Sequence, residues 1–176
     1  MAHAHEKKGQ PTWQDLKLKD LRHVTELKPV KAPNLIKAGN SQAEAIQILL
    51  AAFGLSNEQE STYIKSCIGN VNVHGHYMGH IAEKRQDARE RYVYFAIEVM
   101  DNPYEIWEIT YEQDADLLNP AREFNRLAFI GFFQEEKNQM LVTIDTIDGD
   151  VLWNFMQQEK KSLNKHRHGK LIYSRI

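Results

Sequence analysis

Asp101-Asn-Pro103 divides this 176-residue chain into two parts that are patterned differently. Proline disfavours helical geometry in the residue before it, so a helix arriving from the amino-terminal side must end near Met100. On that side Ser41-Gln-Ala-Glu44 fits a capping box, and Ala45, Ile46, Leu49, Leu50 and Phe53 recur at helical spacing before Gly54, which predicts a helix over 41–53. Thr62–Cys67 and Asn70–Val73, parted by Gly69, read as a short hairpin. Past the break, Glu105–Tyr111, Phe124–Gln134 and Gln139–Ile147 are rich in aromatic and β-branched residues, with polar turns at Glu135–Asn138 and Asp148-Gly149. Trp153–Leu163 reads as a short helix and Lys170–Ser174 as a last strand. Helices first and strands after is the order of an α+β fold, with amino-terminal helices packed on one face of a four- to five-stranded antiparallel sheet.

Residues 1–40 contain Pro11, Pro29 and Pro33 and no sustained periodicity, and read as an extended arm or linker on which Trp13, Leu16, Leu18 and Leu21 could dock. Residues 41–176 are then the folded domain, and 42% hydrophobic residues suffice for one core. The single cysteine, Cys67, excludes an intrachain disulfide and a cysteine metal set; it is expected as a small residue in a partly buried strand. Apolar runs are too short for a membrane span and the amino terminus lacks a signal-peptide core, so a soluble chain with no membrane partner is expected. The net charge of −2 hides an uneven distribution. Residues 92–150 hold thirteen acidic and three basic residues, whereas 151–176 hold six basic and one acidic. The basic carboxy-terminal segment suits a polyanion, while the acidic middle faces away from it or meets a basic partner.

The chemistry-bearing stretch is Val73–Arg91, VHGHYMGHIAEKRQDARER. Wound at about 3.6 residues per turn, His76, His80 and Lys84 would share one helical face with Arg85 and Arg89 beside it. Imidazoles carry protons near neutrality and fixed cations stabilise charge on a phosphorane, which suits phosphodiester cleavage. The same residues also suit a solvated face paired with Glu83, Asp87 and Glu90. His76 and His80 have the separation of a metal pair, but the stretch has no HExxH. His166 and His168 read as members of a basic loop in which Lys165, Arg167 and Lys170 contact phosphates. Trp107, Phe129, Phe132, Phe133, Trp153 and Phe155 read as core rather than as base-stacking platforms.

The segments His80-Ile-xx-Lys84-Arg85-xxx-Arg89-xx-Tyr92, Asp101-Asn-Pro103-Tyr-Glu-Ile-Trp107 and Arg167-His-Gly-Lys-Leu-Ile-Tyr173 occur in an order that resembles the phage-associated nucleases of the Barnase/EndoU/colicin/RelE-like superfamily. They are similar in particular to the toxin domain at the carboxy-terminal end of MuF-type phage head proteins and polymorphic toxins. The resemblance covers about residues 41–176. It implies metal-independent cleavage of tRNA or other structured RNA, without a cofactor, in a cleft on an antiparallel sheet. His80 would transfer protons, Lys84 and Arg89 would stabilise charge, and Asn154 and Tyr173 would complete the catalytic set. Arg85, Lys165, Arg167 and Lys170 would hold the substrate. It further implies action in the cytoplasm of a target cell, delivery as part of a phage or secreted toxin protein, and a cognate immunity protein. The competing readings are a non-catalytic binding module of the same fold and a metal-dependent nuclease built on the histidines. Convergence of His80, Lys84 and Arg89 with Arg167 or Tyr173 separates the first from catalysis.

Overall fold

The computed structural model describes residues 4–24, 30–133, 139–147 and 149–175. The first strand, β1 (Ala4–Glu6), comes from the amino-terminal arm. Helix α1 (Gln42–Ala52) starts where its cap predicts: Ser41 Oγ accepts from the Glu44 amide at 3.1 Å, and Glu44 Oε2 accepts from the Asn40 amide at 3.0 Å. Gly54, at φ 75°, ends it by letting the Leu55 amide turn back to the Leu50 carbonyl at 2.8 Å. Strands β2 (Ser61–Ser66) and β3 (Gly69–His74) form the expected hairpin, with Cys67 exposed in its two-residue turn rather than within a strand.

The histidine-rich stretch is not one helix. Only α2 (Met78–Ala82) is α-helical there, flanked by tight turns at 75–77 and 89–92, and Ala88 adopts a left-handed φ of 44°. Lys84 therefore leaves the face shared by His76 and His80. Helix α3 (Val93–Asp101) then runs to the predicted break.

Strands β4 (Glu105–Gln113), β5 (Arg122–Gly131) and β6 (Gln139–Asp145) follow. Of the expected turns, Glu135–Asn138 lies outside the described residues, as does Asp148. Next comes β7 (Val151–Gln158), where a helix was expected, then the short α4 (Lys160–Leu163) and β8 (Lys170–Ser174). The reason is a bulge: Thr143 pairs with Asn154 but Ile144 with Leu152, so Trp153 is an extra residue. The bulge sends Leu152 and Phe155 to the same core, at a separation that reads as helical in sequence.

The sheet has eight strands in the order β1-β4-β5-β6-β7-β3-β2, with β8 also pairing β4. It exceeds the expected four to five because β7 is a strand, β3 joins it in parallel at Asn72–Val151, and β1 pairs with β4. Every other pairing is antiparallel, and the class is α+β as expected. One face packs against α1, α2 and α3 through Leu49, Ile81, Val99, Phe129 and Phe155. The other face carries a second core of Trp107, Ile109, Ile130 and Leu141, covered by Leu21 and the arm residues Trp13 and Leu18 together with Leu163. That cover reaches only part of the face; toward Tyr111, Arg126, Asp145 and Trp153 the side chains are half-buried. Among the described residues, no helix is long and apolar enough to cross a membrane.

Candidate active site

The open part of this second face is floored by neighbouring strands. Arg126 on β5 stands opposite Ile109 of β4 and Asp145 of β6, and side chains at paired positions share a face. Its guanidinium carbon lies 4.7 Å from the Tyr111 ring, 5.2 Å from Phe124 and 5.0 Å from Trp153. Three rings thus surround one cation, and the Tyr111 hydroxyl shares a hydrogen bond with it. The Nε has no hydrogen-bond partner among the described residues, and Asp145 Oδ2 stands 4.0 Å away.

On one side, the groove is bounded by the residues that the histidine stretch brings to β7. His80 packs on Trp153 with ring centroids 4.8 Å apart, and its Nδ1 is 3.5 Å from Glu83 Oε1. Tyr77 meets the same indole edge-on at 5.4 Å, and His76 and His74 continue the row at 4.2 Å from Tyr77 and 5.1 Å from each other. Arg89, only 5% exposed, donates to Asn154 Oδ1 at 3.0 Å and to Asp87 Oδ2 at 3.1 Å. Three of the expected catalytic residues, His80, Arg89 and Asn154, therefore gather around β7. Lys84 does not: it is exposed in the loop beyond α2, lining an open hollow of about 540 Å³ with Glu83 and Asp87. Arg85 turns inward instead, forming two bonds of 2.9 and 2.7 Å with the fully buried Glu90 and a third of 3.0 Å to the Gly39 carbonyl. Its donors serve the fold rather than a substrate. Among the described residues, no three His, Cys, Asp or Glu side chains gather as a metal site.

The carboxy-terminal residues stand on the other side. β8 is four strand steps from β7, about 19 Å along the sheet at roughly 4.8 Å per step. Tyr173 packs against the helix-side core, on the opposite face from the groove. Arg167 is 1% exposed; Glu105 accepts from its Nε at 2.6 Å and from its Nη2 at 2.9 Å, and the Lys19 carbonyl and Asn164 Oδ1 take Nη1. It is buried away from a substrate, and each of its three guanidinium nitrogens has a partner inside. Lys165 and Lys170 are exposed. Gly169, at φ 95°, runs so close to β4 that a Cβ would strike the Glu108 carbonyl, and it sets Arg167 inward with His168 next to it. His168 Nε2 lies 2.7 Å from Glu6 Oε2, and Tyr111 donates to Glu6 Oε1 at 3.4 Å.

Glu6, Tyr111 and Arg126 were not legible as site residues. They lie far apart in sequence, and pairings β1–β4 and β4–β5 bring them together. Trp153 departs from the expectation of core packing, whereas Trp107, Phe129, Phe132, Phe133 and Phe155 are buried. A family model described as phage-Barnase-EndoU-ColicinE5/D-RelE like nuclease2 matches residues 48–174. No curated protein and no solved structure matches the chain.

Proposed function

The chain belongs to the phage-Barnase-EndoU-ColicinE5/D-RelE like nuclease family, and on that premise we propose that it is a metal-independent endoribonuclease toxin. It cleaves tRNA or other structured RNA by attack of the 2′-hydroxyl on the adjacent phosphate, leaving a 2′,3′-cyclic phosphate. The observation that carries the reading is the groove on the second face of the sheet: Arg126 held among three rings at its centre, with imidazoles bounding it on both sides. A cation whose N–H groups are not all engaged suits a phosphate, and aromatic faces suit unstacked bases. His80 and Arg89 beside Asn154 are the expected proton-transfer and charge-stabilising groups. Delivery with a phage or secreted toxin, action in a target cell's cytoplasm and an immunity protein belong to the same reading.

A non-catalytic binding module is the second reading, favoured by one fact: His80, Lys84 and Arg89 do not converge with Arg167 or Tyr173. Sequencing RNA ends after brief induction separates the two. New 5′-hydroxyl ends that still form in EDTA-treated lysate support the ribonuclease, and intact RNA beside well-folded protein favours the binding module.

A further inference from the structure

The two ends of the groove differ in kind. At the Trp153 end, His80 packs on an indole with the two rings tilted by 41°, and Arg89 is held by Asn154 and Asp87. At the other end, Glu6 receives His168 Nε2 on one oxygen at 2.7 Å and the Tyr111 hydroxyl on the other at 3.4 Å, and the Tyr111 ring lies against Arg126 at 4.7 Å. Resting on the ribonuclease reading, we propose that Glu6 and His168 are the proton-transfer pair, that Arg126 holds the scissile phosphate, and that the rings from Trp153 through Tyr77 to His76 stack flanking bases.

The protonation states suit that role. Burial alone would raise the Glu6 carboxyl, but the hydrogen bond and charge of His168 outweigh it and hold it below its ordinary value. The hydrogen bond to Glu6 raises His168 against the opposing effect of burial. The ion pair thus favours the carboxylate and imidazolium forms that a base and an acid start from, while making each weaker in its role than an unpaired group. The other groups facing the pair are His166, which burial keeps low, Lys165, and Tyr111, whose phenol burial pushes up to about 12, so that it stays a neutral donor. Beyond His168, a hollow of about 360 Å³ lined by Lys161 and Lys165, with Arg22 paired to Asp20 beside them, offers cations to neighbouring phosphates.

In the step itself, Glu6 takes the 2′-hydroxyl proton as the O2′–P bond forms. His168 gives its proton to the 5′-oxygen as the P–O5′ bond breaks. The products are a 2′,3′-cyclic phosphate and a 5′-hydroxyl. A proton then crosses from Glu6 to His168 over their 2.7 Å contact, restoring both groups without water or a further reactant.

The test is steady-state cleavage of a fluorescently labelled tRNA by the full chain, with folding of each variant checked by thermal unfolding. His168→Ala and Glu6→Gln should each lower kcat about 10²- to 10⁴-fold. Glu6→Gln should also remove the acid limb of the kcat/KM profile, which a merely structural loss would leave in place. Trp153→Ala should raise KM about tenfold and, because the ring also holds Arg126, lower kcat by less than Arg126→Ala does. Wild-type cleavage abolished by His80→Ala but kept by folded His168→Ala or Glu6→Gln overturns this assignment and leaves the ribonuclease reading standing. Folded wild type that cleaves no RNA overturns both.

Discussion

Arg167 and Arg126 present the same charge to the same face of the sheet, and the fold treats them in opposite ways. Arg167 lies under the arm, where Glu105, the Lys19 carbonyl and Asn164 engage all three guanidinium nitrogens and Trp13 stacks on it at 5.2 Å. Arg126, whose pair with Ile109 lies four residue pairs along β4–β5 from that of Glu105 with Ile130, is held by ring faces, and its Nε is buried without a hydrogen bond, 4.0 Å from Asp145 Oδ2. A satisfied buried cation joins strands, loop and arm, whereas a ring-held cation on an open face is available to an anion. Arg85 with Glu90 repeats the first pattern on the helix side.

The largest effect that could break this contrast is on stability. Arg167→Ala leaves Glu105 charged and buried, so urea unfolding should show a loss of about 3–5 kcal/mol. Removing both partners, as in Glu105→Leu with Arg167→Met, should recover much of it, because the cost lies in the orphaned charge. A loss below about 1 kcal/mol for the single change would mean that water reaches Glu105.

Arg126→Ala sharpens the other side. It should cost about 1–2 kcal/mol of stability, the ring contacts alone, and about 10²-fold in RNA cleavage through lost phosphate stabilisation. Equal losses of stability for Arg126→Ala and Arg167→Ala, with cleavage unaffected by the former, would erase the distinction.

The same division explains what could be read from the sequence. Helix α1 was legible because Ser41, Glu44 and Gly54 act within a few residues of each other. The hairpin, β4, β5, β6 and β8 were legible from β-branched and aromatic runs. The histidine helix was overextended because α2 ends at Ala82 and the residue after it, Glu83, is neither glycine nor proline. β7 was misread because the Trp153 bulge gives Leu152 and Phe155 a helical separation. Site residues near one another in the chain, such as His80 and Arg89, could be proposed. Asn154 joined them only through the resemblance. Spacing could not tell that Arg85 and Arg167 would meet buried carboxylates, nor that strand order would set Tyr173 four strands from Asn154.

The smallest expected effect separates the two ion pairs by pH. Glu105–Arg167 joins a carboxylate to a guanidinium. In Glu6–His168 the cation is an imidazole, the side chain whose charge ordinarily changes nearest neutrality. His168 is raised on folding, so its contribution is complete below the ordinary histidine value of 6.5 and fades as pH climbs through the folded value. Glu6 is lowered, so its contribution is complete above 4.5 and fades as pH falls through its folded value. The pair therefore stabilises most between about 4.5 and 6.5, and with side chains 15% and 38% exposed it contributes less than about 1 kcal/mol. His166, held low by burial, acts the other way, favouring the fold as pH rises. Wild-type unfolding alone would mix the two, so the quantity to follow is the difference between wild type and His168→Asn. It should be greatest in that window and shrink toward pH 9. A difference that stays constant from pH 5 to 9 would show that His168 is held by packing rather than by its charge.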